Sequence, residues 1–168
     1  MVWLWILLGI LLIFLALGLA GFEIACVRRE LPPQALTEEY LRGTSRAKWA
    51  EDFVFSSDWF YAQKPQTLRV MSYDGKMLSA RFLPREDAKG TILLFHGYRS
   101  SGLLDFGPEL EFLHRQGYNL LLCDQRAHGA SQGRYMTFGV RERYDVLSWV
   151  TYPVSYTHLR AHETTLHL

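Results

Sequence analysis

The chain is poor in cysteine, with Cys26 and Cys123 as its only 2 among 168 residues. Two such residues make no disulfide framework and leave the redox compartment undecided. It is equally poor in net charge, since 18 Lys+Arg stand against 17 Asp+Glu. No basic face is therefore advertised to nucleic acid, and small neutral or amphiphilic ligands suit the surface as well as charged ones. There is no internal repeat and no low-complexity tract, which excludes a solenoid or a disordered linker chain.

Charge is wholly missing from one region, Val2 to Phe22. At about 1.5 Å per residue such a helix reaches roughly 31 Å, the thickness of a bilayer's hydrocarbon core. Residues 1–24 are therefore expected to be a transmembrane anchor or uncleaved signal, with 2–22 in contact with lipid. A cleavable signal peptide is the competing reading, because Gly18 and Ala20 are small enough for a cleavage site, but no basic n-region precedes them. Ile24-Ala25-Cys26 would suit the end of a lipoprotein signal if Glu23 did not come before it. Trp3 and Trp5 mark one interface and Arg28 and Arg29 the other, so the positive-inside rule predicts a single-pass protein with its body in the cytoplasm. One span without intramembrane charge argues against a channel or transporter.

Residues 25–66 read as a helical connector. Pro32-Pro33 is expected to stop the membrane helix, and Thr37 followed by Glu38 and Glu39 is a helix start with acids in its first turn. Tyr40, Leu41, Trp49, Phe53, Trp59 and Phe60 supply apolar contacts without an interleaved basic cluster. From Thr67 the pattern becomes that of strands. Thr67 to Tyr73 and Lys76 to Leu83 flank an Asp74-Gly75 turn, a strong hairpin signal. Thr91 to Phe95 and Tyr118 to Cys123 are short continuous apolar runs, as in strands buried on both faces. Leu103 to Arg115 and Thr137 to Val150 read as helices. Alternation of strand and helix predicts an α/β domain over 67–152, its parallel sheet covered by helices on both faces.

Two segments carry chemistry. Thr91-Ile-Leu-Leu-Phe-His96-Gly97-Tyr98-Arg99-Ser100-Ser101 runs from a buried strand into a His-Gly loop, and Asp124-Gln125-Arg126-Ala127-His128-Gly129-Ala130-Ser131 follows the next buried strand as D-x-R-x-H-G-x-S. Together they resemble the third-strand and fourth-strand loops of α/β-hydrolases, over about the first half of such a domain. The resemblance is nearest to the membrane-anchored, serine-aminopeptidase-like or lysophospholipase-like branch. It implies an N-terminal half of an α/β-hydrolase fold behind one transmembrane helix. It also implies that the Tyr98 N–H is one oxyanion-hole donor, that Gly97 permits close approach, and that His96 supports the loop. The expectation for the His96 ring itself is a hydrogen-bonded turn holder, because backbone groups do the electrostatic work.

Gly129-Ala130-Ser131-Gln132-Gly133 matches G-x-S-x-G letter for letter. A nucleophile elbow needs a strand directly before the first glycine and a helix directly after the second. Here polar loop residues precede, Arg134 to Thr137 follow, and His128 lies on the wrong side for the chain order serine, acid, histidine. Ser131 is therefore expected to structure a loop. Asp124 and Arg126 are expected to brace it too, with Asp145 a surface or bracing acid.

Pro153 to Thr164 spell the translation of a common transposase-type sequencing adapter, so 153–168 is expected to be adapter-derived and the biological chain to end near Tyr152. On that expectation His158, His162 and His167 form no metal site, and a central strand over Tyr118 to Cys123 lacks its next neighbour, leaving Leu120-Leu121-Leu122 open to aggregation. The leading functional expectation is a fragment of a membrane-anchored serine hydrolase acting on a small-molecule ester, thioester or peptide bond, without cofactor, the triad lying outside this chain. The alternative is a membrane-tethered noncatalytic binding protein on the same fold.

Overall fold

A computed structural model describes residues 1–32 and 34–152. Pro33 and the 153–168 tail, with its histidines and adapter-like sequence, lie outside the described residues. The first helix, α1 (Val2–Cys26), is apolar all round as far as Phe22, carries its one charge at Glu23 and has no buried residue. It ends at Cys26, several residues ahead of the prolines expected to stop it. The reason is backbone pairing: Met136 N–H donates to the Cys26 carbonyl (2.7 Å), Arg28 N–H donates to the Arg134 carbonyl (2.8 Å), and Val27 forms a β-bridge with Tyr135. These bonds draw the chain into an extended path at Val27.

Next come α2 (Glu38–Arg42), whose cap Thr37 Oγ1 accepts from the Tyr40 N–H, a short 3-10 helix (Ala47–Trp49) and α3 (Ala50–Ala62). Phe53 and Phe60 are buried on α3 and carry it onto α4 (Gly102–Arg115), where they meet Leu104 and Leu110. The Asp74-Gly75 hairpin joins β1 (Gln66–Met71) to β2 (Met77–Leu83). Ser72 N–H donates to the Lys76 carbonyl (2.8 Å), and Gly75 supplies the φ of +75° that the turn requires.

The remaining strands are β3 (Gly90–Phe95) and β4 (Tyr118–Asp124), and the sheet order is β1-β2-β4-β3. β3 and β4 are parallel, whereas β1/β2 and β2/β4 are antiparallel, so the sheet is mixed rather than parallel throughout. β4 is central and paired on both sides. That overturns the expected open edge at Tyr118 to Cys123; among the described residues the edges are β1 and β3. Nor is the Leu120-Leu121-Leu122 run exposed, because β4 sends alternate residues to two cores. Leu120 and Leu122 join Phe60, Leu94 and Leu110 under α3 and α4, while Leu121 and Cys123 join Leu78, Ala80 and Trp149 on the other face. Each buried leucine contributes about 1.5–3 kcal/mol.

Trp149 belongs to α5, residues 142–152. That helix starts later than the expected Thr137, since Phe138 (φ +49°) and Gly139 (φ +92°) break the helical path. Thr137 Oγ1 accepts from the Arg141 N–H (3.0 Å) and donates to Glu142 Oε2 (2.7 Å), which also accepts from the Gly139 N–H (2.8 Å). The 137–142 segment is thus a closed turn that launches α5.

Candidate active site

Because β3 and β4 run parallel, the loops after them emerge at the same end of the sheet, the usual ligand side of such folds. The first loop begins with His96, which is almost fully buried. Its Nε2 accepts from the Gln125 N–H (3.2 Å), which fixes the neutral tautomer and makes Nδ1–H the donor to the Gly97 carbonyl (2.9 Å). The Gln125 side-chain amide donates to the His96 carbonyl. His96 therefore ties one loop to the other.

Gly97 has its N–H taken by Asp105 Oδ2 (2.6 Å) on α4. The same carboxylate accepts at Oδ1 from Ser100 Oγ (2.5 Å) and from Arg46 Nη2 (3.1 Å). Asp105 and Arg46 thus set the loop, and sequence reasoning missed both. An acid in the first turn after the cap Ser101 was a signal for Asp105, whereas Arg46 lies 59 residues away and gave none. The Tyr98 N–H, by contrast, meets no acceptor among the described residues. An N–H left free on a loop pinned at both sides is a group available to a developing oxyanion. The Tyr98 ring is half exposed and stacks on Phe138, with centroids 5.4 Å apart.

The second loop is held more tightly still. His128 mirrors His96, its Nε2 accepting from the Arg99 N–H (3.2 Å) and its Nδ1–H donating to the Arg126 carbonyl (3.0 Å). The two rings meet edge to face at 4.8 Å. Burial, with His96 and Arg28 adding to it, holds the His128 imidazole below its ordinary value. Arg126 is buried between two carboxylates, donating to both oxygens of Asp145 (2.6 and 2.6 Å) and both of Asp74 (3.1 and 3.3 Å). The bonds to Asp145 raise the guanidinium's affinity for its proton against the opposing effect of burial, and the Arg126 bond holds the Asp74 carboxyl below the usual carboxylate value. Asp145 is a buried brace rather than a surface acid.

Asp124 Oδ2 accepts from the Ala130 N–H (2.9 Å), and Gly129 passes so close that a Cβ there would lie 2.4 Å from the same oxygen. With φ at +47°, position 129 demands glycine on both counts. Ser131 is buried, its Oγ donating to the Asp124 carbonyl (2.6 Å) and accepting from the Ser79 N–H (2.8 Å). Its backbone N–H donates to the His128 carbonyl (3.0 Å), but its hydroxyl bonds to no histidine ring. Both ring nitrogens of His96 and His128 are already engaged by peptide groups, so neither is placed to serve as a base for a described serine. Cys123 is equally inert, since burial pushes its thiol up. Among the described residues no group of three His, Cys, Asp or Glu side chains is placed to hold a metal ion.

Gly97, Tyr98, Gln125, Arg126, His128, Met136, Phe138, Gly139 and Glu142 enclose a cleft of about 110 Å³ between the loops. Burial pushes the Glu142 carboxyl up, and donation from Thr137 and Gly139 more than offsets it, leaving the carboxyl below its usual value.

No protein-family model matches the sequence, and no curated protein does. Several solved structures are similar. The esterase Pf2001 of Pyrococcus furiosus is 31% identical over 55% of this chain and 36% of its own, with a TM-score of 0.48. DcsB, solved with a substrate analogue, is 22% identical over 54% of this chain and 32% of its own (TM-score 0.50). The α/β hydrolase GrgF from Penicillium sp. sh18 is 21% identical over 52% of this chain and 31% of its own (TM-score 0.46). The chain spans about a third of the length of these structures. The described body is a mixed α/β fold, with parallel and antiparallel strands in one sheet, carried behind a single apolar N-terminal helix, and the likeness to DcsB is one of fold.

Proposed function

We propose that the chain is the N-terminal portion of a membrane-anchored serine hydrolase that cleaves an ester, thioester or peptide bond through an acyl-enzyme. The observation that carries this reading is the unengaged Tyr98 N–H, held at the end of a parallel strand by a loop that Asp105, His96 and Gln125 fix from three sides. Such a donor meets the charge that collects on a carbonyl oxygen during attack. The nucleophile, base and acid belong to sequence other than the described residues, and the serine-aminopeptidase-like or lysophospholipase-like branch is the parent type proposed. α1 is long and apolar enough to cross a membrane, and Arg28, Arg29 and Arg42 on one flank support a cytoplasmic body.

A fluorophosphonate probe tests the chemistry. Applied to this chain it should leave every serine unlabelled; applied to the longer reading frame from the same locus it should label one serine outside residues 1–152. Labelling of this chain that disappears in Ser131→Ala would overturn the reading.

A further inference from the structure

The last turn of α1 is bound to the loops of the candidate site. Tyr98 Oη donates to the Ala25 carbonyl (3.0 Å), the Arg99 guanidinium donates to the Ile24 carbonyl, and the Met136 N–H donates to the Cys26 carbonyl (2.7 Å). These carbonyls are the orphan acceptors found at any helix end. Here the site loops satisfy them. Arg28 continues the connection by donating to the Gly129 and Ser131 carbonyls (2.6 and 2.7 Å), and the Phe22 ring lies 5.3 Å from Tyr135. The rest of α1 is unburied, as suits a segment surrounded by hydrocarbon. A span fixed in this way to the loops sets where their rim stands, at the membrane interface itself.

The rim has the chemistry of that position. Phe138 is 66% exposed and Val140 is 62% exposed, both on the turn that borders the cleft, and Phe138 rests on the same Tyr98 ring that reaches α1. Phe138 holds a φ of +49°, a backbone conformation that a bulky residue adopts at a cost. Arg134 and Arg143 flank the turn with their guanidinium groups over Tyr135 and Tyr144. Aromatic rings with arginines beside them are the side chains favoured at headgroup depth.

We infer that the 138–141 turn, together with Tyr98, is a lipid-contacting surface seated among headgroups beside the exit of α1, so that the cleft opens toward the bilayer. Combined with the hydrolase reading, on which this clause rests, the placement makes an acyl compound dissolved in the membrane the substrate class.

The test uses the full chain carrying Cys26→Ser, with an environment-sensitive nitrobenzoxadiazole fluorophore at Phe138→Cys, at Val140→Cys or at Glu86→Cys in the loop at the opposite end of the sheet. Each labelled chain is reconstituted in phosphatidylcholine/phosphatidylglycerol vesicles with and without a lipid bearing a nitroxide near the headgroup. An interfacial turn sinks by about 5–10 Å into the headgroup boundary, so positions 138 and 140 should lose about half their emission or more while position 86 changes little. Equal quenching at all three positions, or none at 138 and 140, overturns the placement. Quenching reads depth and not turnover, so a chain whose parent has no hydrolase chemistry still gives a clear answer here. Conversely, a working hydrolase with an unquenched turn refutes the placement alone.

Discussion

Replacing Asp145 by alanine strips Arg126 of its nearer carboxylate. The guanidinium side chain is 4% exposed and that of Asp145 5%, so water cannot replace the two lost 2.6 Å bonds. Removing one partner of a buried pair costs about 3–5 kcal/mol, because a charge is left buried without compensation. Asp74 remains, bonded at 3.1 and 3.3 Å but 21% exposed, which argues for the lower end, about 3 kcal/mol. With a urea dependence of about 2 kcal/mol per molar, the midpoint should fall by about 1.5 M. The near-ultraviolet dichroism of the detergent-solubilised protein reports the transition through Trp149, which is fully buried one helical turn from Asp145. The double variant Arg126→Met/Asp145→Leu should lose less than Asp145→Ala alone, since it removes the buried guanidinium and leaves only Asp74, which is 21% exposed and keeps Arg141 at 3.8 Å. A midpoint for Asp145→Ala within about 0.2 M of the parent would show that Asp74 alone neutralises Arg126 and refute the argument.

Gly129→Ala should destabilise by at least about 1–2 kcal/mol, from the left-handed backbone alone, and more from the 2.4 Å approach to Asp124; urea melts that match the parent would count against the crowded loop. Ser131→Ala leaves the buried Ser79 N–H without its acceptor and should cost about 1–3 kcal/mol without altering reactivity toward a fluorophosphonate, a stability loss below about 0.5 kcal/mol being the contrary result. Acid should weaken the fold through His128: its folded value lies below its ordinary 6.5, so the unfolded chain takes up the proton first, and the stabilisation present above pH 6.5 is lost as pH falls toward the folded value. Urea melts at pH 7.5 and 5.5 should show that loss shrinking in His128→Gln, and an unchanged loss would place the titration elsewhere. A phosphatase reporter fused after Tyr152 should be inactive outside the cell if the body is cytoplasmic, and active reporter there would reverse the orientation.

The strands were legible where physics acts locally. Four apolar residues in succession at Leu120 to Cys123 have no amphipathic face, and the sheet uses them by burying both faces. Order within the sheet was not legible, because β2 reaches β4 through pairings such as Leu83 with Leu120 that no local pattern announces. The same division holds at the site. His96-Gly97-Tyr98 stands out as a strand-end motif, and the misfit of Ser131 as a nucleophile follows from its neighbours in the chain. Of the partners that give the loops their shape, Arg46, Gln125 and Arg28 act across long separations and lacked any sequence signal beyond ordinary polarity, whereas Asp105 stands eight residues from Gly97 in the first turn of α4. The end of α1 was misplaced for a related reason: proline is a local stop, whereas the bond from Met136 to Cys26 is a tertiary one.

The two arms of the Arg126 clamp differ in the length of chain they close, 19 residues to Asp145 and 52 to Asp74. Closure entropy grows as three halves of RT times the logarithm of that length, so the longer arm costs about 0.9 kcal/mol more to bring together. The shorter arm also has the shorter bonds. On chain length alone, the arm to α5 is therefore the less costly of the two to close. The clamp thereby joins two chain closures of unequal cost on one guanidinium, the 19-residue arm to Asp145 and the 52-residue arm to Asp74.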